Sequence, residues 1–326
     1  MEPFAIVLVK SLIIFVALLT VFAYLVLLER KMLGYFHMRV GPNRTGPWGL
    51  LQPLADGVKA IVKEDIIPAG ADKWVFRLAP VISMFTAFAA FAVIPLGPPI
   101  QVGPWQIHLG IADPPGGVLV LLAFTAMSVY GIALGGWASQ SKYSLLGAMR
   151  SAAQMVSYEL SLGISLAGVL MLAGSVRLPD IVAAQETLPF VVLQPLGFVV
   201  FMIAALAELN RVPFDLPEAE TELVSGYSTE YSGMRWAMFM LAEYVNMITS
   251  SFLISLLYLG GWHGPQFFPP FVNLAGKAAV LLFGLIWLRA SLPRVRYDRL
   301  MSFGWKVLLP LAVINLIATA VWVALR

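Results

Sequence analysis

The sequence predicts an all-α integral membrane protein of about eight transmembrane helices, organised as a single polytopic domain over residues 1–326. The first reason is composition: 60% of the residues are hydrophobic, 12% are charged, and the mean hydropathy is +0.84. Soluble domains carry about 25% charged residues. The second reason is that apolar stretches of about 20 residues, the length that crosses a bilayer core, recur along the chain. These observations exclude an ordinary water-soluble fold.

Eight apolar stretches are long enough to span a membrane. They cover residues 5–28, 78–96, 118–137, 156–173, 190–207, 236–259, 274–288 and 307–325. The seventh is the weakest, because Pro269 and Pro270 precede it and Lys277 lies in its first turn. These spans take up most of the chain and leave little room for a soluble domain.

An amphipathic helix is predicted over residues 48–67, after the first span. Leu54, Val58 and Ile61 recur at helical spacing, opposite Asp56 and Lys59. Such a face lies in the membrane interface or packs on another subunit. Both interpretations stay open from the sequence.

The lysine and arginine residues predict the orientation of the chain. Seventeen of the 21 fall on one side, in the loops 29–77, 139–155, 208–235 and 289–306. Because lysine and arginine are enriched in cytoplasmic loops, this side is predicted to face the cytoplasm. Both termini are then expected on the outer face.

Several classes of chemistry lack their sequence signals. The chain has no cysteine, which excludes disulfides, thiolate catalysis and cysteine-bound iron–sulfur clusters. It has no phosphate-binding lysine loop and no dinucleotide-binding glycine motif. The three histidines lie in different loops, so we expect no metal site, and nothing indicates a nucleic-acid partner. If the chain takes part in redox chemistry, it must hold a diffusible substrate.

The most informative feature is an acidic loop, residues 208–235. Residues 208–230 of this loop contain one base, Arg211, and six acids: Glu208, Asp215, Glu218, Glu220, Glu222 and Glu230. Asp215 and Glu218 have the spacing of a helix cap, and solvated acidic loops are common, so these structural interpretations stay open. Leu216, Leu223 and Val224 indicate a packed loop instead. Acids crowded in a poorly solvated place raise one another's pKa and exchange protons near neutral pH.

Two further acids, Glu159 and Glu243, fall inside predicted spans. An ionisable group within a membrane is costly and typically marks a proton path. Both lie near the cytoplasmic ends of their spans, so a side chain that reaches the interface is the alternative. We favour the proton path.

Two charged segments flank the spans. Residues 29–68 combine alternating charge, Gly-Pro turns and the amphipathic helix, which suits either a pocket for the polar head of a lipid-soluble ligand or a docking loop. Residues 288–298 carry three arginines, which either pair with the acidic loop or hold the basic side inward. Composition alone favours the second role for these arginines.

Four runs of sequence resemble the H subunit of proton-pumping NADH:quinone oxidoreductase, respiratory complex I. They are ERKMLGYFHMRVGPNRTGPWGLLQPLADGVKAIVKEDIIP, AQMVSYELSLGI, AELNRVPFDLPEAETELVSGYSTEYSGMRWAMFMLAEYVNM and LRASLPRVRYDRLMSFGWKVLLPLA. They occur in the family's order, and the resemblance covers nearly the whole chain. Runs such as RVPFDLPEAETELVSGY are very specific.

The resemblance implies a protein that forms the wall and entrance of a quinone chamber. In this family the entrance uses the first span, the amphipathic helix, the sixth span and the acidic loop. The implied chamber or entrance residues here are Glu29, Arg30, Arg39, Asp56, Phe214 and Arg289. The implied path for protons or charge is Glu208, Glu218, Glu220, Glu222 and Glu230 in the loop, with Glu159 and Glu243 in the spans.

The resemblance also implies cofactors, partners and location. Quinone is the expected substrate, and no prosthetic group is expected on this chain; NADH, FMN and iron–sulfur clusters belong to partner subunits. Expected partners are the hydrophilic-arm subunits, including the one with the terminal iron–sulfur cluster, and the small and antiporter-like membrane subunits. The expected location is the bacterial cytoplasmic (inner) membrane, and the chain is expected to be inactive alone.

Three alternative functions fit parts of the sequence. A stand-alone proton-coupled secondary transporter also has many spans and intramembrane acids. A homologous anchor of a membrane-bound hydrogenase, or of a ferredoxin-driven relative, is closer, but KAIVKEDIIP and LPEAETELVSGY favour the quinone enzyme. A purely structural anchor is disfavoured by the acids in the spans.

Overall fold

The computed structural model describes residues 4–102, 105–217, 220–265 and 267–325, and these residues are mostly helical. The α-helices in chain order are α1 (Phe4–Phe36), α2 (Gln52–Val62), α3 (Lys73–Ala92), α4 (Gly117–Ala138), α5 (Lys142–Ala173), α6 (Leu178–Ala183), α7 (Phe190–Leu193), α8 (Pro195–Glu208), α9 (Glu220–Leu223), α10 (Gly233–Tyr258), α11 (Pro270–Ser291), α12 (Tyr297–Phe303) and α13 (Leu309–Leu325). Short 3₁₀ turns cover Pro47–Gly49 and Gly226–Ser228, and a π turn, Gly304–Leu308, joins α12 to α13. Strands β1 (Ile100–Val102) and β2 (Trp105–Ile107) pair antiparallel, with Gln101 opposite Gln106.

The prediction of an all-α integral membrane protein is confirmed. Within the described ranges, seven helical segments are long and apolar enough to cross a membrane: α1, α3, α4, α5, α10, α11 and the continuous stretch from α12 to α13. The shorter apolar helix α8 adds to them. The stretch predicted as the fifth span, 190–207, therefore corresponds to α7 and α8 with a break between them.

This break lies at Gln194, which separates α7 from α8. Pro195 lacks an N–H group and disfavours helical geometry at the residue before it, so the helix stops and restarts there. The buried Gln194 side chain donates from Nε2 to Thr319 Oγ1 of α13, 2.7 Å away. The interruption is thus anchored to a neighbouring helix by a polar contact.

Several helices extend beyond the predicted spans. Helix α1 continues past residue 28 to Phe36, since the glutamate, arginine and lysine that follow are good helix formers. Helix α5 begins at Lys142 rather than near residue 156, and Gly147 in its first half lets the backbone of the acidic loop approach closely at Pro217 and Gly226. These extensions place Glu29 on α1 and bring α5 under the acidic loop.

The amphipathic helix is shorter than predicted and covers Gln52–Val62. It begins late because Trp48 has a positive φ of 51° in the preceding 3₁₀ turn, and it ends where Lys63 becomes extended. Leu54, Val58 and Ile61 are exposed on it. This apolar face is available to a bilayer or to another subunit, so both interpretations of its role stay open.

The core is built between α3, α4, α5, α8, α10 and α13, which pack both on their neighbours in the chain, as α3 does on α4, and on distant helices, as α3 does on α10. Small residues allow the closest approaches: a Cβ at Gly131 of α4 would overlap the Ser83 hydroxyl of α3. Small residues at helix crossings are the usual way to pack helices tightly in membranes. This packing holds α3, α4, α5 and α10 around the site described below.

We predict that Lys277 stabilises the end of α10. Its Nζ donates to the carbonyl oxygens of Leu259, Gly261 and His263, at 2.6, 2.9 and 2.5 Å. In Lys277→Met those carbonyls lose their donor within a largely apolar region, so we expect the free energy of unfolding to fall by roughly 1–3 kcal/mol. Denaturant unfolding in detergent measures it, with Lys59→Met on the exposed face of α2 as the control. Equal stability of the two variants would contradict this role.

Candidate functional site

A cluster of two carboxylates and two guanidinium groups, largely buried but with Arg289 partly exposed, joins α1, α10 and α11 through the acidic loop. Arg211 is at its centre: Nη1 donates to Glu29 Oε2 and Nε donates to Glu243 Oε1, each at 2.7 Å. The other oxygen of Glu29 accepts from Arg289. The Arg211 guanidinium also lies 4.4 Å from the ring centre of Tyr244. The cluster is thus a continuous ion-paired chain from α1 to α10 whose formal charges balance.

The balance of formal charges matters because an unpaired charge is costly where water is excluded. The side chains of Arg211 and Glu29 are only 4% and 2% exposed. Burial by itself lowers the pKa of Arg211, but the attraction of Glu243 and Glu29 outweighs it and raises the pKa of Arg211 well above its ordinary value. Arg211 therefore stays charged, and any change of protonation in the cluster falls on a carboxylate.

The first part of the acidic loop is anchored, which fixes Arg211 in place. Gln154 of α5 donates from Nε2 to the carbonyl oxygens of Ala207 and Phe214, both at 2.8 Å. On the other side, Arg294 Nη2 lies 3.0 Å from Asp215 Oδ2. These contacts tie the segment that carries Arg211 to α5 and to the segment between α11 and α12.

Two of the three apolar residues that indicated a packed acidic loop are buried in the structure. Leu216 and Leu223 are buried, whereas Val224 is exposed. Asp215 pairs with Arg294, and the described part of α9 begins at Glu220.

The arginine segment 288–298 does more than set topology, which corrects the role that composition favoured. Arg289 pairs with Glu29 of the buried cluster, and Arg294 pairs with Asp215 of the acidic loop. Composition could not reveal this, because the pairing depends on how α11 and the loop fold back towards each other.

A small cavity of about 40 Å³ lies beside the cluster, between α3, α4, α5 and α10. The carboxylate-bearing residues Glu208 and Glu243 both line it, with Ser83, Asn210 and Asn246. Within the described part of the chain, Ser83 Oγ, Asn210 Oδ1 and Asn246 Oδ1 have no hydrogen-bond partner. Buried polar atoms are normally satisfied, and a polar cavity of this size has room for about one to three water molecules. The cavity is therefore suited to hold water between two carboxylates.

The other predicted path acids lie at different distances from this cavity. Glu159 on α5 is partly buried and close enough to Glu208 for their carboxylates to repel each other. Glu222 is about half-exposed and pairs with Arg150 Nη1 at 2.7 Å, and Glu230 is partly buried before α10. Glu218 lies outside the described residues.

The structure therefore joins Glu29 to Glu243 through Arg211 and places Glu243 and Glu208 at one cavity, with Glu159 near Glu208. It gives Glu222 a separate partner at the surface. Glu220 begins α9, and its side chain also lies outside what is described.

A second cavity, of about 140 Å³, opens between α1, α2 and α10. Arg30 and Asp56 face each other at this cavity, with Arg30 Nη1 2.6 Å from Asp56 Oδ2. Gln52 donates from Nε2 to the other Asp56 oxygen at 2.9 Å. The remaining wall is largely apolar and includes Phe22 and Trp236. An apolar pocket with one ion pair suits a ligand with a polar head and an apolar tail.

The other predicted chamber residues do not line this pocket. Arg39 is exposed beyond the end of α1, where its backbone N–H donates to Gly34 O at 2.8 Å. Phe214 packs near Tyr158 and lines a separate groove beside α12. Glu29 and Arg289 belong to the buried cluster. Within the described ranges, only Arg30 and Asp56 of the six line the pocket.

Sequence patterns did not single out Arg211, Ser83 or Asn246 as site residues. A usable signal existed for Arg211, since it is the one base among six acids at membrane level and buried carboxylates need a partner. Ser83 and Asn246 are single polar residues in apolar helices, and such residues are too common to identify a site.

Among the described residues, no group of three or more histidines, cysteines, aspartates or glutamates lies close enough to hold a metal ion. The groups that the described site does offer are carboxylates, guanidinium groups and amides. Carboxylates hold protons and release them, while the guanidinium groups stay charged and the amides donate and accept hydrogen bonds.

Comparison with known proteins identifies the family. The family model described as NADH dehydrogenase matches residues 9–320. The NADH-quinone oxidoreductase H subunit 1 of Geobacter metallireducens is 54% identical over 98% of this chain and 96% of its own length. The H subunit 2 of Geobacter sulfurreducens is 53% identical over 96% and 95%, and the H subunit of Deinococcus deserti is 54% identical over 97% and 83%. The chain therefore belongs to the NADH dehydrogenase family, whose members here are the H subunits of NADH-quinone oxidoreductase.

Proposed function

We propose that this chain is the membrane subunit of complex I that forms the membrane side of a quinone chamber and couples quinone reduction to proton translocation. One observation carries the proposal: Glu29 and Arg30 are neighbours on α1, but Arg30 lines the pocket and Glu29 belongs to the ion-paired cluster. Arg30 pairs with Asp56 at the pocket between α1, α2 and α10, and Glu29 belongs to the buried cluster. A single turn of helix therefore connects the pocket to the carboxylates.

The pocket beside Arg30 is the proposed quinone entrance. Its apolar wall suits a prenyl tail, while Arg30, Asp56 and Gln52 offer hydrogen bonds to a polar headgroup. The rest of the chamber is expected from a hydrophilic-arm protein that carries the terminal iron–sulfur cluster. Arg39 lies at the surface and Phe214 lies beside α12. Each contributes to the chamber only where the hydrophilic-arm protein contacts this chain.

The buried cluster is the proposed relay. Reduction of a quinone to the quinol takes up two electrons and two protons, so negative charge or proton demand arises at the chamber. In a poorly solvated site this change alters the proton affinity of nearby carboxylates. The new charge at the chamber acts first on Glu29. Its effect reaches Glu243, which lines the cavity, through Arg211, the partner that both carboxylates share.

From the cavity the proposed path continues to Glu208 and Glu159. Water held between Ser83, Asn210 and Asn246 carries the proton between Glu243 and Glu208. Protons enter this proposed path from the surface through Glu222, which pairs with Arg150, and through the other loop acids Glu218, Glu220 and Glu230.

The remaining expectations follow from family membership. We expect quinone as substrate, with NADH, FMN and iron–sulfur clusters on partner chains and none on this one. We also expect small and antiporter-like membrane partners, a place in the bacterial inner membrane with both termini outside, and no activity alone. Membership favours this function over a stand-alone transporter. Gentle solubilisation followed by mass spectrometry of the copurifying proteins tests it, and recovery of the chain without iron–sulfur proteins would contradict it.

We predict that Arg30 and Asp56 set the affinity for quinone. Loss of an ordinary hydrogen bond costs about 1 kcal/mol, so Arg30→Gln and Asp56→Asn should each raise KM for quinone roughly fivefold to tenfold. Steady-state kinetics with a short-chain quinone measures the change in the assembled enzyme. Lys59→Gln, on the exposed face of the same helix as Asp56, is the control. An unchanged KM in both variants would remove this pocket from the quinone route.

A further inference from the structure

A wide groove lies beside α12, apart from the cluster and from the proposed quinone entrance. Its volume is about 870 Å³. Phe214, Leu292 and Val295 form one side, and Phe303 and Val307 form another. Of the residues that line this groove, the function proposed above involves only Phe214.

Two basic side chains line this otherwise apolar groove. They are Arg299 of α12 and Lys306 of the π turn, and both are exposed. Asp298 also lines the groove, but its Oδ1 lies 3.4 Å from Arg296 Nε, so a cation already offsets its charge. Within the described ranges, neither Arg299 nor Lys306 forms an ion pair. The groove therefore presents two uncompensated positive charges.

The surroundings have the character of a membrane interface. Trp305 and Tyr297 are 49% and 37% exposed on the same segment, and the apolar helix α13 begins three residues after Lys306, at Leu309. Tryptophan and tyrosine gather where headgroups meet acyl chains, and lysine and arginine near helix ends extend towards that level. The groove thus combines two cationic side chains with an apolar wall, next to the start of an apolar helix.

We propose that this groove binds an anionic phospholipid. The lipid phosphate lies between Arg299 and Lys306, and an acyl chain follows the wall formed by Leu292, Val295 and Val307. Basic pockets beside transmembrane helices are suited to anionic headgroups. A soluble anion would use the two charges and leave the apolar wall exposed, whereas a phospholipid uses both parts of the groove.

The test uses the intact complex in phosphatidylcholine vesicles that contain a trace of photoactivatable phosphatidylglycerol. We expect adducts within residues 292–307, at higher yield than with a photoactivatable phosphatidylcholine. A basic residue near an anionic surface contributes about 1 kcal/mol, so Arg299→Gln and Lys306→Gln should each lower the adduct yield about fivefold. Arg299→Lys with Lys306→Arg keeps both charges and should keep the yield. Lys142→Gln, an exposed lysine elsewhere, is the control.

Four outcomes would overturn the proposal. Equal labelling by phosphatidylcholine would indicate a groove without headgroup preference. Displacement of the phosphatidylglycerol probe by inorganic phosphate would indicate a site for a free anion. Cross-linking of the groove to another protein of the complex without lipid adducts would indicate a protein interface. Unchanged labelling of the glutamine variants would show that Arg299 and Lys306 do not bind the lipid. Quinone reduction is not a readout, so failure here is independent of the function proposed above.

Discussion

Replacement of Arg211 by methionine is expected to destabilise the protein by about 3–5 kcal/mol, the usual cost of removing one partner from a buried ion pair. Arg211 is almost fully buried and donates to both Glu29 and Glu243. Without it Glu29 retains Arg289, whereas Glu243 loses the partner that offsets its charge. The expected result is a lower melting temperature and a lower yield of assembled complex.

The double variant Arg211→Met with Glu243→Gln makes this prediction specific. It removes the uncompensated carboxylate together with the arginine, so we expect it to be more stable than Arg211→Met alone. Arg211→Lys keeps the charge but loses the fork that reaches two carboxylates, and its stability should be intermediate. If the double variant were less stable than Arg211→Met, the ion-pair account of the cluster would be wrong.

The second large effect is expected from Glu243→Gln in the assembled enzyme. This change keeps the shape of the side chain but removes the titratable group that joins the cluster to the cavity. We expect quinone reduction coupled to proton pumping to fall about a hundredfold, the lower end of what a positioned proton carrier contributes. Membrane vesicles energised with NADH allow both rates to be measured together.

Two comparisons separate this effect from misfolding. Electron transfer from NADH to a hydrophilic artificial acceptor uses only partner subunits in the proposed arrangement, so it should be unchanged. Glu186→Gln removes an exposed acid beside α6 and should leave the coupled rate unchanged. Normal coupled activity in an assembled Glu243→Gln enzyme would exclude Glu243 from the path.

The fold class and most membrane helices were predictable because they follow from local properties of the chain. Length and apolarity alone identify α1, α3 and α4. The extension of α1 past residue 28 was not predicted, since charged helix formers were interpreted as the end of a span. The break at Gln194 was missed although Pro195 marks it, because the flanking residues are apolar on both sides.

The acids of the site could be predicted from the sequence, but the residues that they contact could not. Glu159, Glu208 and Glu243 stand out because acids are rare in an apolar sequence. Arg211 and Arg289 become partners of one carboxylate only after the loop and α11 fold towards α1, which no local pattern encodes. The cavity depends on shapes of four helices at once, so the sequence could not reveal it.

The central claim is that Glu243 and Glu208 belong to one proton path through the cavity that they share. A double-mutant cycle tests it directly: the proton-pumping rate is measured in vesicles for Glu243→Gln, Glu208→Gln and the double variant, each normalised to assembled enzyme. If both groups serve one path, the double variant should be no slower than the slower single variant. If the two losses multiply instead, the carboxylates act independently and the shared path is contradicted.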